Sequence, residues 1–300
     1  MNHLIYVFLL LLLAFLMSCQ LESLPISVEP AESQIAVASL VGPEELLFVT
    51  LTKSFSALSA EDISEITQDF TQALLLDSAL VTLSYEGFTD TLETFFGITG
   101  LYFTELEVFN EFQLMELTVF DSTTSEIAFA QSVLQPPVRI DSVEISRRDT
   151  TINFLADLSF SFNDPPSIDN FYVIQIYQFT PPDTTISDST AEGGLFFGGE
   201  NFLIYESLLT DRGVDEDGRI RKDDIIEFTS TVDSALVVLT NIDEGYYNFL
   251  EARGRSGSFL SSIANEPVNH PTNVSNGVGY FSAHQPRAEI IIVRFGKIDE

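Results

Sequence analysis

The alternation of apolar and polar side chains predicts that most of this chain forms β-strands. The clearest segment is residues 152–162, where an apolar side chain occupies every second position and Asp or Ser fills most of the positions between. A period of two is typical of a strand with one face in the core and the other in water. Residues 171–179 are apolar on both faces, which predicts a central strand.

Shorter segments of the same kind follow one another along the chain, separated by turn-forming residues. We predict strands at residues 35–40, 46–51, 79–85, 88–95, 112–120, 127–133, 202–205, 225–232, 236–239 and 290–293. Strands and helices do not alternate, as a parallel sheet would require. The pattern therefore predicts an all-β fold of the sandwich type.

Two segments have apolar side chains at helical spacing instead. The pattern in residues 59–75 predicts a helix that packs on a sheet of this protein. The alternative is that this helix docks into a groove of a partner protein. Residues 243–253 predict a short helix with Tyr246, Phe249 and Leu250 on its core side.

The N-terminus carries an unbroken apolar run, Leu4–Leu16, followed by Met17, Ser18 and Cys19, the only cysteine. The run is shorter than the ~20 residues that span a bilayer, but it suits the apolar region of a secretory signal. Residues 16–19 resemble a bacterial lipobox, which predicts that Cys19 is lipidated and becomes the mature N-terminus. Lys and Arg, usual at the start of such signals, are missing here. An ordinary secreted protein or a short N-terminal anchor is the alternative.

Proline positions divide the rest of the chain. Residues 1–19 are the predicted signal peptide, and residues 20–34, which contain Pro25 and Pro30, are a predicted extended tether. Pro136 and Pro137 mark the predicted domain boundary, because paired prolines stop a central strand and stiffen a connection. We expect an immunoglobulin-like or transthyretin-like sandwich over residues 35–137. A second β-rich, sandwich-like domain with one or two short helices follows over residues 138–300.

Composition narrows the range of partners. The chain has 45 acidic and 13 basic residues, a net charge of -32. Phosphate backbones repel such a surface, so we predict no nucleic-acid partner. With Cys19 carrying lipid, no disulfide can form within the chain.

Catalytic residue types are scarce after the signal peptide. His270 and His284 are the only histidines there, which leaves little for a zinc site or a Ser-His-Asp triad. We therefore predict no catalytic residues and no cofactor. A surface hydrolase acting on glycans or peptides remains an alternative, because carboxylate pairs can be drawn freely among so many acids.

A calcium site is a second alternative. Asp211, Asp215, Asp217 and Asp224 surround Gly218 in partial imitation of an EF-hand loop. Gly213 stands where the first aspartate of that loop should be. An acidic hairpin turn is the favoured interpretation, since Asp and Gly form turns readily. The alternative predicts a calcium-stiffened adhesin or structural surface module.

The C-terminal region carries a more specific motif: Pro267, Asn273, Asn276, Gly277, Gly279, Tyr280 and Phe281. This motif resembles the C-terminal signature of Bacteroidetes lipoproteins of the family known as domain of unknown function 4249. We expect structural roles, with Gly277 and Gly279 where the backbone approaches another strand closely or needs a positive φ.

The resemblance implies a protein attached by lipid to the outer membrane, and it leaves open which face of that membrane carries the protein. Other lipoproteins are encoded beside TonB-dependent outer-membrane receptors. By analogy with them, the resemblance implies an accessory role with a receptor of this kind. It supplies no catalytic residues.

Overall fold

A computed structural model describes residues 32–42, 46–54, 74–106, 112–148, 154–166, 169–179, 202–228, 234–255 and 270–292. The described residues form seventeen strands and one α-helix, which confirms the predicted β fold. None of the described helical segments is long and apolar enough to cross a membrane.

The strands are numbered in chain order. They are β1 Ile35–Val41, β2 Leu46–Lys53, β3 Ala79–Tyr85, β4 Phe88–Thr91, β5 Glu93–Thr94, β6 Leu101–Glu105, β7 Leu114–Asp121, β8 Ile127–Val133, β9 Ile140–Arg147, β10 Phe154–Asn163, β11 Phe171–Phe179, β12 Phe202–Thr210, β13 Arg219–Phe228, β14 Ser234–Ile242, β15 Val274–Ser275, β16 Gly277–Tyr280 and β17 Arg287–Ile292. The helix is α1, Glu244–Arg255.

The first sandwich packs two five-stranded sheets, in the orders β16-β1-β2-β6-β5 and β15-β8-β7-β3-β4. Alternate side chains of each sheet meet between them in one buried cluster that includes Val37, Leu51, Leu83 and Leu117. In β1, β7 and β8 buried and more exposed positions alternate, because only one face of each strand lies against this core.

The second sandwich packs the three-stranded sheet β13-β10-β9 against the four-stranded sheet β12-β11-β14-β17. Phe160 and Phe162 of β10 project into the core, where Phe162 meets Tyr172 edge-on with ring centroids 4.8 Å apart. All pairings within these two sheets are antiparallel, as in sandwiches of the immunoglobulin and fibronectin kind.

The connection from β14 to β17 carries α1 and also β15 and β16, both of which belong to the first sandwich. β16 runs parallel to β1, with Gly277 opposite Ile35, while β15 runs antiparallel to β8, with Val274 opposite Ala130. The division by sequence assigned residues 273–280 to the second domain. The structure instead pairs them with strands of the first, because they add one strand to each of its sheets.

The predicted domain boundary, at Pro136 and Pro137, contacts residues of β14 and of the connection from β14 to β17. Gln135 forms a parallel bridge with His284, and the Pro136 carbonyl accepts a hydrogen bond from Asn241 Nδ2 at 3.2 Å. The segment joining the two sandwiches is therefore fastened to residues that follow it by more than a hundred positions.

Most predicted strands are confirmed, and four strands were missed: β6, β9, β15 and β16. β9 escaped prediction because a bulge opposite Ser161 and Phe162 of β10 interrupts its alternation at Asp141. No strand was predicted at Leu101–Glu105, which forms β6. Its run of adjacent apolar side chains has no period of two.

Other boundaries differ in extent. The helix predicted at 243–253 is confirmed as α1, and the strand predicted at 225–232 begins earlier, at Arg219. The signal peptide, most of the tether and most of the helix predicted at 59–75 lie outside the described residues.

We expect Gly279→Ala to destabilise the protein by at least about 3 kcal/mol, because two costs combine there. Gly279 has φ +98°, and a Cβ atom would overlap the Val37 carbonyl of β1. Gly218 is the matched control: it has φ +77° with open space around it, so Gly218→Ala should cost only about 1 kcal/mol. Urea unfolding of both variants measures the difference, and equal losses would contradict the close packing of β16 on β1.

Candidate functional site

Residues Asn273–His284, here named the return segment, contain most of the motif singled out in the sequence. The Asn273 side chain fixes the start of the segment: its Nδ2 donates to the carbonyls of Phe281 at 2.7 Å and Gln131 at 2.8 Å. Its Oδ1 accepts the Phe281 amide at 2.9 Å. One side-chain amide therefore ties together β8 and both ends of the chain reversal around Asn276, which has φ +59°.

Buried serines hold the end of the return segment. The Ser282 amide donates to Ser39 Oγ of β1 at 2.7 Å, and the Ala283 amide donates to Ser132 Oγ of β8 at 2.9 Å. Ser39 Oγ also donates to the Ser282 carbonyl at 3.1 Å. These hydrogen bonds satisfy backbone groups that no strand partner reaches, as buried polar groups require.

The two motif glycines allow the return segment to lie directly on β1. A Cβ atom on Gly277 would come within 2.6 Å of the Ile35 carbonyl oxygen, and one on Gly279 would meet Val37. Phe281 turns into the core of the first sandwich, whereas Tyr280 belongs to a different cluster. Pro267 lies outside the described residues.

Tyr280 connects the first sandwich to α1. Its hydroxyl donates to Asp243 Oδ1 at 2.9 Å, and the same oxygen accepts the Tyr246 amide at 2.9 Å, so Asp243 caps the helix. The Tyr280 ring lies 5.5 Å from the rings of both Tyr246 and Phe249. Burial, with the nearby Asp243 carboxylate, raises the pKa of Tyr280, so this hydroxyl stays protonated.

His284 and His270 lie around the same helix. His284 is buried, its Nδ1 is 3.2 Å from Ser282 Oγ, and its ring stacks on Tyr246 at 5.8 Å. Burial lowers the pKa of His284 to about 4, so the imidazole is neutral near pH 7. The His270 ring lies 6.1 Å from the Phe249 ring. These contacts place both histidines in an aromatic cluster that packs α1 against the return segment.

Of the acidic residues considered for calcium, Asp211, Asp215 and Asp217 lie in the turn between β12 and β13. Asp215 accepts the amides of Asp217 at 2.9 Å and Arg219 at 3.0 Å, and it pairs with the Arg221 guanidinium. The Arg219 amide is the main reason that the pKa of Asp215 lies below its usual value. Its carboxylate oxygens are thus engaged by donors from the hairpin itself.

Asp217 also pairs with the Arg221 guanidinium, at 3.5 Å. Asp224, within β13, accepts the Tyr205 hydroxyl at 2.8 Å, and Asp211 lies in the 3₁₀ turn Asp211–Gly213. Across the described ranges, no group of three or more His, Cys, Asp or Glu side chains is arranged to hold a metal ion.

An exposed apolar surface on the first sandwich is the feature that the sequence did not reveal. In β8 the small side chains of Ala128, Ala130 and Ser132 face the core, while Ile127 and Phe129 face outward and are 41% and 47% exposed. A strand that only filled a core would carry its large side chains inward. The inverted arrangement is the signal that could have found this surface.

Neighbouring strands extend this surface, which we name the apolar face. Ile127 lies opposite Phe120 of β7, which lies opposite Leu80 of β3, and Leu80 is 52% exposed. Leu114 and Val133 form an exposed cross-strand pair farther along the same sheet. Between the two ends, Gln131 Nε2 donates to Glu116 Oε1 at 2.6 Å. The apolar face comprises Leu80, Leu114, Phe120, Ile127, Phe129 and Val133.

The fold and the return segment define a protein of two β-sandwiches interlocked by one insertion. A family model for a domain of unknown function, DUF4249, matches residues 22–289, and the chain belongs to that family. No curated protein matches the sequence.

Solved structures share only a distant likeness. The FN1–FN3 domains of chicken CNTN1 are 11% identical, with 89% of this chain and 68% of that chain covered and a TM-score of 0.24. The alpha chain of the chicken interferon gamma receptor is 9% identical, with 88% and 99% covered and a TM-score of 0.22. A DUF4785 family protein from Legionella pneumophila is 10% identical, with 67% and 49% covered and a TM-score of 0.20.

We expect His284 to make stability depend on pH between about 6.5 and 4. Its folded pKa of about 4 lies below its ordinary value of 6.5, so the unfolded chain takes up the proton first. The stabilisation is complete above pH 6.5 and is lost as pH falls toward 4, up to roughly 3 kcal/mol. Urea unfolding at several pH values should show this slope in the wild type and a flatter one in His284→Gln. The same slope in both proteins would contradict the assignment.

Proposed function

We propose that this protein is a non-catalytic binding protein of the cell envelope, anchored to the outer membrane by lipid on Cys19. Its binding surface is the apolar face, and its partner is a membrane protein of the envelope. The observation that carries this proposal is the inverted packing of β8, where Ile127 and Phe129 face outward and alanines face the core.

The apolar face has the features of a protein interface. Clusters of exposed apolar side chains commonly mark interaction sites on soluble proteins, and aromatic side chains are enriched at protein interfaces. Phe129 lies in β8, next to the edge strand β15, opposite Thr118 on one side and Ser275 of the return segment on the other. Because its backbone is paired on both sides, the ring is presented by a rigid element.

The location rests on the N-terminal sequence and on family membership. Leu4–Leu16 and the lipobox-like residues 16–19 support export and acylation of Cys19. Several acyl chains make a lasting anchor where one would hold only marginally. An accessory role beside a TonB-dependent uptake receptor follows by analogy with other envelope lipoproteins, and such a receptor is the partner that we propose for the apolar face.

Cys19 is tested directly by its chemistry. We expect mass spectrometry of the protein purified from membranes to show cleavage before Cys19 and a mass increment of acyl chains on that residue. Cys19→Ser should leave the protein in the soluble fraction or unprocessed. A processed N-terminus with an unmodified Cys19 sulfur would contradict the proposed anchor.

The apolar face is tested with paired variants on one strand. After crosslinking in cells, we expect Phe129→Glu to lower the yield of the co-purifying receptor at least tenfold, about 1.4 kcal/mol, as for a central interface residue. Gln131→Lys, at the next outward position of β8, is the matched control and should retain the receptor, because a lysine can still donate to Glu116 across the strand pair. Both positions are exposed, so folding stability should change by no more than about 0.5 kcal/mol. Equal receptor yields from the two variants would contradict the proposal.

A further inference from the structure

We propose that the turn Phe95–Gly100 inserts the side chains of Phe96 and Ile98 into the lipid bilayer beneath the first sandwich. This inference rests on the proposed lipid anchor at Cys19 and adds a second, side-chain contact with the membrane. The bilayer surface that this turn fits is electrically neutral.

The turn exposes its apolar side chains at a cost in backbone energy. Phe96 has φ +46° and ψ 30°, and its side chain is 74% exposed, while Ile98 is 50% exposed. A bulky residue in the left-handed region costs about 1–2 kcal/mol relative to glycine. Among the described rings, Phe96 contacts that of Phe95, in an edge-to-face arrangement with ring centroids 4.4 Å apart. An exposed aromatic side chain kept in a strained conformation points to a role outside the fold.

The base of the turn is rigid. Phe95 is buried, and its ring lies 5.2 Å from both Phe48 and Phe103 in edge-to-face contact. The Ile98 amide donates to the Phe95 carbonyl at 2.8 Å, and the Gly100 carbonyl accepts the Leu51 amide at 2.8 Å. The tip is therefore presented in a fixed position.

The turn lies at the end of the sheet where the chain enters the first sandwich. Leu101, which follows the turn, pairs with Thr50 of β2, and Ile35 at the start of β1 pairs with Lys53 three residues farther along β2. The entering chain is fastened there by the Gln34 amide, which donates to Ser54 Oγ at 2.9 Å. Both features are thus at the same end of the sheet.

This end of the sheet is also the end nearest the anchor in sequence. Gln34 follows Cys19 by 15 residues, a span of at most about 50 Å when fully extended. A lipidated Cys19 would hold this end within that distance of the membrane. No such restraint applies directly to the opposite end, where Phe88 lies beside the β3–β4 hairpin turn.

Charge decides which surface the turn can enter. Asp77, Glu93 and Glu126 are exposed around this end, and Lys53 is paired with the buried Asp121 at 3.0 Å. Anionic lipids would be repelled by these carboxylates, as would a second copy of a chain with a net charge of -32. Neutral headgroups carry no such penalty, and aromatic side chains are favoured at the bilayer interface.

The experiment uses the fact that the chain contains no tryptophan. Full-length, acylated Phe96→Trp is reconstituted into phosphatidylcholine vesicles with brominated acyl chains, which quench only fluorophores in contact with lipid. Phe88→Trp is the matched control, because Phe88 is 66% exposed at the opposite end of the sandwich. We expect at least threefold stronger quenching for Phe96→Trp than for Phe88→Trp, and weaker quenching when phosphatidylglycerol replaces half of the lipid.

Each other outcome overturns the inference in a distinguishable way. Mass spectrometry first verifies that the protein is acylated. If the two variants are then quenched equally or not at all, the turn does not enter the bilayer, whereas the lipid anchor is unaffected. A blue-shifted but unquenched Phe96→Trp spectrum means that another protein or a second copy covers the turn. An unacylated Cys19 removes the anchor and this inference together. Ile98→Trp gives the same readout should Phe96→Trp fail to fold.

Discussion

The contact on which the structure depends is the parallel pairing of β16 with β1, made by residues far apart in sequence. Ser39 and Ser282, which exchange two hydrogen bonds just beyond this pairing, are separated by 243 residues. Bringing such distant segments together costs loop-closure entropy. That cost is offset by burial of Phe281 in the first core and of Tyr280 against α1. Gly279 permits the approach, because any larger residue would meet Val37.

This contact makes the second sandwich a structural partner of the first. After β14 the chain leaves the second sandwich, and its return segment adds a strand to both sheets of the first. The chain then re-enters the second sandwich as β17. The joint between the two sandwiches therefore consists of the covalent chain, sheet hydrogen bonds and the aromatic cluster around Tyr246. A joint of this kind restricts hinge motion, which a single linker at Pro136 would allow.

The joint also bears on the proposed function. β15 pairs with Phe129 and Ala130 of β8, so the return segment supports the strand that presents Phe129 in the apolar face. The turn that we place in the bilayer lies in the sheet that β16 completes. The proposed partner-binding face and the proposed membrane contact thus belong to the same sandwich, and its core sets their relative orientation.

The sequence predicted the strands whose alternation is regular and missed those in which geometry interrupts it. β10 and β8 were predicted, whereas β9 was hidden by its bulge and β6 by adjacent apolar side chains. The acidic turn near Gly218 followed from Asp and Gly preferences. The partners of β15 and β16 could not be predicted, because pairing across such distances leaves no local pattern. The apolar face was hidden because β8 has apolar side chains on both faces, and composition alone does not say which face is the core.

Native-state hydrogen exchange tests most directly whether the return segment joins the two sandwiches into one cooperative unit. The amides of β1, in the first sandwich, and of β14, in the second, should open with the same free energy, equal to that of global unfolding. If the amides of β1 and β2 exchange at a clearly lower free energy while those of β14 remain protected, the first sandwich unfolds alone. That result would contradict a single cooperative unit.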